Sequence, residues 1–441
     1  MSMTGGPKRS EGLSLLATIA FAVGSMVGAG VFVLSGMVIA IAGASAILSY
    51  ALCGVLVCLS GLSYATLASI FPEDGGGYLY AKRMLGEYPG FIAGWAMYVS
   101  MMISTAFVVL GFGIYLNLLL GTHIDPRLAA LGAVLFLTLL NIRGLSEAGR
   151  AEVVLVGTKL AILCVLVLAG LVHIRASAFV PFMPYGMEGM VQGMTMVFFT
   201  YVGFQVVAMM AGEVKESSRV VPIATLASIA IAAAIYVGVV VALLSAGLPS
   251  YGSESVFDAA VALLGGYGGA IVALAAVLST LSSANAGIIG ASRITMEMAS
   301  ENQLPGRFAR LRNGQPTNSI LLGSAITVVL IVHGGLDFIV DLTNVTVLIS
   351  MLLVNASTLI LMRGGKPISP EKRYFRIPLG GLFPTLGVLS CVLMLLTLPA
   401  TTLAMGVGAL LLGTVLYVLE DTPAGREAVE EIRRVLNRPS P

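Results

Sequence analysis

Apolar residues run through this chain in long blocks, separated by short polar or charged connections. Twelve blocks are read as membrane-crossing segments, at 13–40, 44–70, 91–119, 127–143, 151–172, 190–211, 222–246, 267–294, 316–333, 340–361, 382–398 and 400–419. Each reaches the roughly 17 residues that a helix needs to cross the hydrocarbon of a bilayer. The pattern therefore predicts an all-α integral membrane protein with twelve transmembrane helices. Two of the blocks are interrupted. The first carries Gly24-Ser25-Met26-Val27-Gly28-Ala29-Gly30 at its middle, and the sixth carries Tyr201-Val202-Gly203. Glycines weaken a helix where lipid most penalises open backbone, so such breaks need surrounding protein or a water-lined cavity. Paired broken helices point to a solute transporter.

The two interrupted blocks each begin a run of five spans. An odd run length places the runs in opposite orientations across the membrane, as an inverted repeat requires. The expected organisation is a cytoplasmic N-terminus at 1–12, a first repeat unit at 13–172 and a second at 190–361. Two further helices at 382–419 and a cytoplasmic tail at 420–441 complete it. Within the tail, 424–436 reads as a short helix ended by Pro439-Ser440-Pro441. The segment 251–264, with Val256, Ala259, Ala260, Leu263 and Leu264, fits a surface helix of an outer lid and equally a packed loop.

Composition excludes a soluble protein. Of 441 residues 57% are hydrophobic and 10% are charged, against about 25% charged in soluble domains. All four cysteines, Cys53, Cys58, Cys164 and Cys391, lie in apolar blocks and read as small hydrophobes rather than a disulfide framework. With both termini inside, every one of the 24 Lys and Arg falls in or beside a cytoplasmic segment except Arg127, Arg175 and Lys159. That asymmetry sets the orientation. The first block follows only Pro7-Lys8-Arg9 and leads to no small-residue cleavage site, so no removable signal peptide is expected.

The candidate chemistry centres on the breaks. The half-helix starting near Ala29 presents free N–H groups and a positive dipole end, suited to a carboxylate. Carbonyls released near Val23 and Gly24 suit an ammonium, and Phe198-Phe199-Thr200-Tyr201 adds carbonyls and aromatic rings. The other reading is a pair of packing contacts or kinks. Lys159, about 12 Å along a helix from Ala151, is the sharpest single residue. A charge there is expensive unless an acceptor meets it. It could gain and lose a proton to couple transport, snorkel to the interface, or act as a fixed tether to carbonyls. The eighth block holds Ser279-Thr280-Leu281-Ser282-Ser283-Ala284-Asn285-Ala286-Gly287. Its hydroxyls either flank the first break or bond their own preceding turn. Glu152 and Asp341 read as interface charges, His123, His173 and His333 as solvated, and Met101-Met102 and Met209-Met210 as fillers of helix contacts. Gly75-Gly76-Gly77 lacks the lysine of a phosphate loop. No metal ligands, cofactor, nucleic-acid surface or enzyme chemistry is expected.

In ordered combination these segments resemble the amino acid–polyamine–organocation transporter superfamily, particularly its prokaryotic amino-acid permeases. The likeness runs through Gly24 to Phe32, Pro72-Glu73-Asp74-Gly75-Gly76-Gly77-Tyr78, and Phe198 to Gln205. Gly212-Glu213-Val214-Lys215, Val221-Pro222-Ile223, Ala291-Ser292-Arg293 and Asn302-Gln303-Leu304-Pro305 continue it. The resemblance implies a five-plus-five inverted repeat like the bacterial leucine transporter fold, plus two helices, and an amino acid bound between broken spans one and six. Ser25, Gly28, Ala29 and Gly30 match the carboxylate-binding break, with Met26, Val202 and Gly203 completing the candidate site. Phe199 and Tyr201 match the aromatic or gating side. Lys159 matches the lysine of proton-coupled members that replaces a sodium ion, and Ser282 and Ser283 match the hydroxyl-rich part of span eight. Gln205 departs from the family, standing where many relatives carry an acid, so an acid-dependent route there is in doubt. The expected function is import of neutral L-amino acids by proton symport through alternating access. The expected partners are the amino acid, a proton and membrane lipids, and the expected location is a prokaryotic inner or plasma membrane. Sodium-independent exchange is the alternative; a nontransporting nutrient receptor and a channel are further classes.

Overall fold

The computed structural model describes residues 12–144, 150–312, 314–364, 374–377 and 379–421, so the helix expected at 424–436 lies outside the described residues. The described residues are helical, with no strand among them. In the first block, α1 (Leu15–Met26) and α2 (Ser35–Ala42) are separated by a non-helical step and a wide turn, Gly30–Leu34. Next come α3 (Ala46–Ile70), a short α4 (Gly76–Leu85), α5 (Glu87–Leu120), α6 (Pro126–Ile142) and α7 (Arg150–Val172). The sixth block contains α8 (Gly186–Phe198) and a one-turn α9 (Val206–Met209). The remainder is α10 (Ser217–Ala246), α11 (Ser255–Ser300), α12 (Thr317–His333), α13 (Leu336–Met362), α14 (Leu382–Leu396) and α15 (Ala400–Asp421).

Eight helical stretches among the described residues are long and apolar enough to cross a membrane, and α1, α6, α12 and α14 are shorter apolar helices. Local chemistry sets the ends. Asp125 caps α6 by accepting from the Arg127 N–H at 2.9 Å, with Pro126 at the first helical position. Gly121 closes α5 in the left-handed region, at φ 64°. Gly265, at φ 78°, divides α11 into a short first helix and a long second one. The segment 251–264 is thus partly helical. It lies on α2, where Gly36 admits the Gly252 carbonyl, and Tyr115 donates to the Phe32 carbonyl at 2.7 Å beneath it.

The centre of the bundle is α5, apolar all round and packed by α11, α13, α4 and α6. The outer helices show the reverse pattern. Val154, Val165, Leu168 and Val172 of α7, and Leu411, Leu412 and Val415 of α15, are exposed and form an apolar perimeter.

The face at which α1 begins, the terminal face, is tied together by polar groups. The Leu13 N–H donates to the Glu213 carbonyl at 2.8 Å and the Lys215 N–H to the Leu13 carbonyl at 3.0 Å, a parallel bridge between Leu13 and Val214. Glu213 pairs through its side chain with Arg293 of α11, and the Gly212 N–H donates to Asp74 at 2.9 Å. Lys82 of α4 reaches Glu301 at 3.0 Å and Glu87 at 3.3 Å. Burial pushes the Lys82 pKa down, but hydrogen bonds to Glu301 and Glu87 outweigh it and leave the amine above the ordinary lysine value.

Candidate functional site

The first helix ends at Met26 because Val27 leaves helical geometry, at φ −79° and ψ 70°, while its N–H still meets the Val23 carbonyl at 2.7 Å. Helix resumes at Ala29. Two glycines make room at this step. A Cβ on Gly28 would stand 2.6 Å from Ser283 Oγ, and one on Gly30 3.1 Å from Thr200. The second break follows α8 through a tight 3₁₀ turn, Phe199–Tyr201, an extended Val202 and Gly203 at φ 132°. The Gly203 N–H donates to Gln205 Oε1 at 3.0 Å, so the glutamine side chain caps the break from within. A Cβ on Gly203 would lie 2.9 Å from the Ser25 carbonyl carbon. The two breaks therefore meet backbone to backbone.

Carbonyls freed from helical pairing must find donors in an apolar surround. Lys159 Nζ donates to the Gly24 carbonyl at 2.9 Å and Ser283 Oγ to the same oxygen at 3.1 Å. Ser279 Oγ donates to the Val27 carbonyl at 2.6 Å. The Tyr236 hydroxyl of α10 stands 2.8 Å from the Met26 carbonyl of one break and 2.8 Å from the Thr200 carbonyl of the other. Lys159 is 2% exposed on α7 and is turned to the break, not to a membrane interface.

Between the breaks lies a cavity of about 50 Å³. Of the residues expected at the site, Ser25, Met26, Gly28, Ala29, Gly30, Phe199, Val202, Gly203 and Ser283 line it. Lys159 stands behind the first break, and Ser282, one residue before Ser283 on α11, is not in the lining. Tyr201 is placed differently from the expectation. Its hydroxyl donates to the Tyr50 carbonyl at 2.9 Å, and its ring packs edge-on against Tyr236 at 5.2 Å. Residues two apart point roughly 120° or more apart in a 3₁₀ turn or an α-helix, so Phe199 and Tyr201 cannot share a direction. Phe199 takes the cavity side and meets Phe107 edge-on at 4.6 Å.

One wall had no signal in the sequence. Met97, Met101, Ser104, Thr105 and Val108 of α5 line the cavity, together with Val206 of α9 and Ala286 and Gly287 of α11. Met101, expected to fill a helix contact, does so with its terminal methyl beside Gly290 of α11 and also lines the cavity; its neighbour Met102 fills a contact against Gly323 of α12. No charged side chain lines the cavity among the described residues. It offers N–H groups at the start of a half-helix for an anion and oxygen acceptors for a cation.

The sequence model of the family described as "Amino acid permease" matches residues 13–419. The chain belongs to the amino acid permease family. The permease is 26% identical over 421 residues to the methylthioribose transporter of Bacillus subtilis (strain 168), covering 90% of each chain. It is 32% identical over 345 residues to the inner membrane transport protein YbaT of Escherichia coli (strain K12), covering 75% of this chain and 78% of that one. The branched-chain amino acid permease BcaP of B. subtilis is 26% identical over 431 residues, covering 90% of each. The family and these relatives are transporters rather than enzymes, and the apolar helices make the permease a multi-pass membrane protein.

Proposed function

We propose that this permease imports neutral L-amino acids by alternating access, with a proton as the coupled ion. The observation that carries the proposal is the cavity shared by two broken helices and lined by no charged side chain. The substrate carboxylate sits at the start of the half-helix from Ala29, and its ammonium faces carbonyl and hydroxyl oxygens. A second cationic or anionic group on the substrate finds no counter-charge there. Twelve spans with a five-plus-five inverted repeat accommodate the two breaks at corresponding places, and the terminal face is cytoplasmic by its Lys and Arg content. The ties at Leu13, Asp74, Lys82 and Arg293 then hold the inner side closed in this conformation, and Phe199 rather than Tyr201 serves as the aromatic group over the substrate.

Lys159 is the coupling group in this reading. Charged, it holds the Gly24 carbonyl and so the first half of the broken helix; neutral, it holds that carbonyl less strongly. Deprotonation toward the inside would free the first helix to swing as substrate leaves. Ser279 and Ser283 keep the neighbouring carbonyls occupied, and Ser282 and Ser283 belong to the coupling region. Purified permease in lipid vesicles tests this: an imposed proton gradient drives uptake and a sodium gradient does not. Absence of substrate-linked proton movement rejects symport. Amino-acid exchange is a second reading, favoured by the Lys159–Gly24 bond, which a permanently charged amine makes without titrating. Fast counterflow with no net uptake would select it.

A further inference from the structure

The hydroxyl groups around the cavity have a property that bears on which neutral amino acid fits. Five hydroxyl side chains line it, and each gives its proton to a backbone carbonyl. Ser25 donates to Phe21 at 2.9 Å, Ser104 to Met101 at 3.0 Å and Thr105 to Met101 at 2.7 Å. Thr200 donates to Val197 at 2.7 Å and Ser283 to Gly24 at 3.1 Å. A hydroxyl has one proton and two acceptor positions. What these groups turn to a ligand is therefore oxygen lone pairs, with the donors already engaged.

The remaining lining side chains are apolar. Backbone N–H groups at the break are the donors left, and the substrate's own carboxylate takes them. A side chain ending in a carboxylate would be buried against acceptors with no donor to meet it, a penalty of the kind that rejects ligands strongly, and a carboxamide can donate its N–H groups but leaves its carbonyl oxygen without a donor. An alkyl side chain suffers no such mismatch, and a substrate hydroxyl can donate to the waiting oxygens.

Size narrows the class further. A water needs about 10–15 Å³ of such space, so the cavity of about 50 Å³ holds a few waters. An amino acid of the size of alanine or serine displaces that many, whereas a long or aromatic side chain needs more space than the cavity offers in this conformation. Met97 and Met101 of α5 and Val206 of α9 form the apolar wall. Met101 is held down: its terminal methyl lies 2.9 Å from where a Cβ on Gly290 would stand, and Thr105 occupies the space beside Gly287.

We infer that the cavity selects small neutral amino acids of the alanine and serine class, with Met101 as the size limit. This rests on the transport reading above and narrows its substrate. The test is competition by unlabelled amino acids against labelled alanine uptake in vesicles containing the purified permease. Alanine and serine should compete at concentrations about 10-fold or more below leucine, phenylalanine, aspartate and asparagine. Met101→Ala should bring leucine several-fold closer to alanine and leave aspartate as poor as before. Leucine or aspartate competing as well as alanine in the unmodified permease overturns the inference, as does a Met101→Ala ranking identical to the original. Met97→Ala opens the same wall if Met101→Ala fails to fold, and the unmodified ranking decides independently of both. Uptake of leucine without alanine overturns the size limit alone; absence of uptake for every amino acid overturns the transport reading itself.

Discussion

Gly203→Ala tests whether the two breaks depend on touching one another. Gly203 sits at φ 132°, a region that L side chains adopt rarely, and forcing alanine there costs about 1–3 kcal/mol. The added Cβ would stand 2.9 Å from the Ser25 carbonyl carbon, 3.0 Å from its oxygen and 3.1 Å from the Met26 nitrogen. All three are backbone atoms, so no side-chain rotation relieves them, and overpacking of this kind costs about 1–3 kcal/mol more. The sum, about 2–6 kcal/mol, lowers the population of the conformation in which both breaks face one cavity by roughly 30-fold or more. Initial uptake rates in vesicles, normalised to inserted protein, should fall accordingly, with a lower melting temperature in detergent. Gly306→Ala is the control, because nothing lies within 4 Å of its added Cβ. Uptake and melting by Gly203→Ala that match Gly306→Ala would refute the backbone contact between the breaks.

Four further outcomes are expected. Lys159→Ala removes the donor at 2.9 Å from the Gly24 carbonyl and should abolish uptake, at a cost of about 1.5–3 kcal/mol for the charged hydrogen bond. Lys159→Arg keeps a fixed charge and should bind substrate without proton-driven accumulation; accumulation equal to the original removes the proton role. Gly12→Val presses on the Glu213 carbonyl, 3.0 Å from the added Cβ, and should raise labelling of a cysteine placed at Val214 by an aqueous thiol reagent, with unchanged labelling counting against a latch at Leu13. Lys82→Met should cost about 1 kcal/mol or less, since Glu87 and Glu301 are well exposed. The Lys82 pKa is raised on folding, so its contribution is fully present below the ordinary lysine value of about 10.4 and disappears only as pH rises through the higher folded value. The difference in melting temperature between Lys82→Met and the unmodified permease should therefore be flat from pH 6 to 9; a difference that vanishes within that window contradicts the assignment.

The breaks were legible because glycine density inside an apolar block has few other uses. Helix is lost at Val27 and Gly28, inside the Gly24 to Gly30 stretch, and at Val202 and Gly203, and the polar stretch from Ser279 to Ser283 lies beside the first break. Lys159 was legible for its rarity in such a setting, and the structure adds the acceptor it reaches. The α5 wall was not legible. A 34-residue helix that is apolar all round carries no periodic signal for which side faces the centre, so Met97, Met101 and Ser104 looked like any other buried positions. Tyr201 was grouped with Phe199 by residue type, although two positions along any helical turn point in different directions, and its hydroxyl goes to the Tyr50 carbonyl. Tyr236 gave no sign at all: its role depends on two carbonyls from distant blocks arriving at the same point.

That tyrosine has a consequence for how the halves of the carrier move. A phenol has a single hydrogen to offer, and the Met26 and Thr200 oxygens stand equally near it, each at 2.8 Å. The two unwound segments are thus rivals for one donor. The rivalry is unequal: the Met26 oxygen also accepts the Gly28 N–H at 2.9 Å, so when the hydrogen goes to Thr200 it keeps a partner, whereas the Thr200 oxygen loses the phenol when the hydrogen goes to Met26. One phenol hydrogen thus ties the ends of both unwound segments to α10, so a displacement of either one bears on the other.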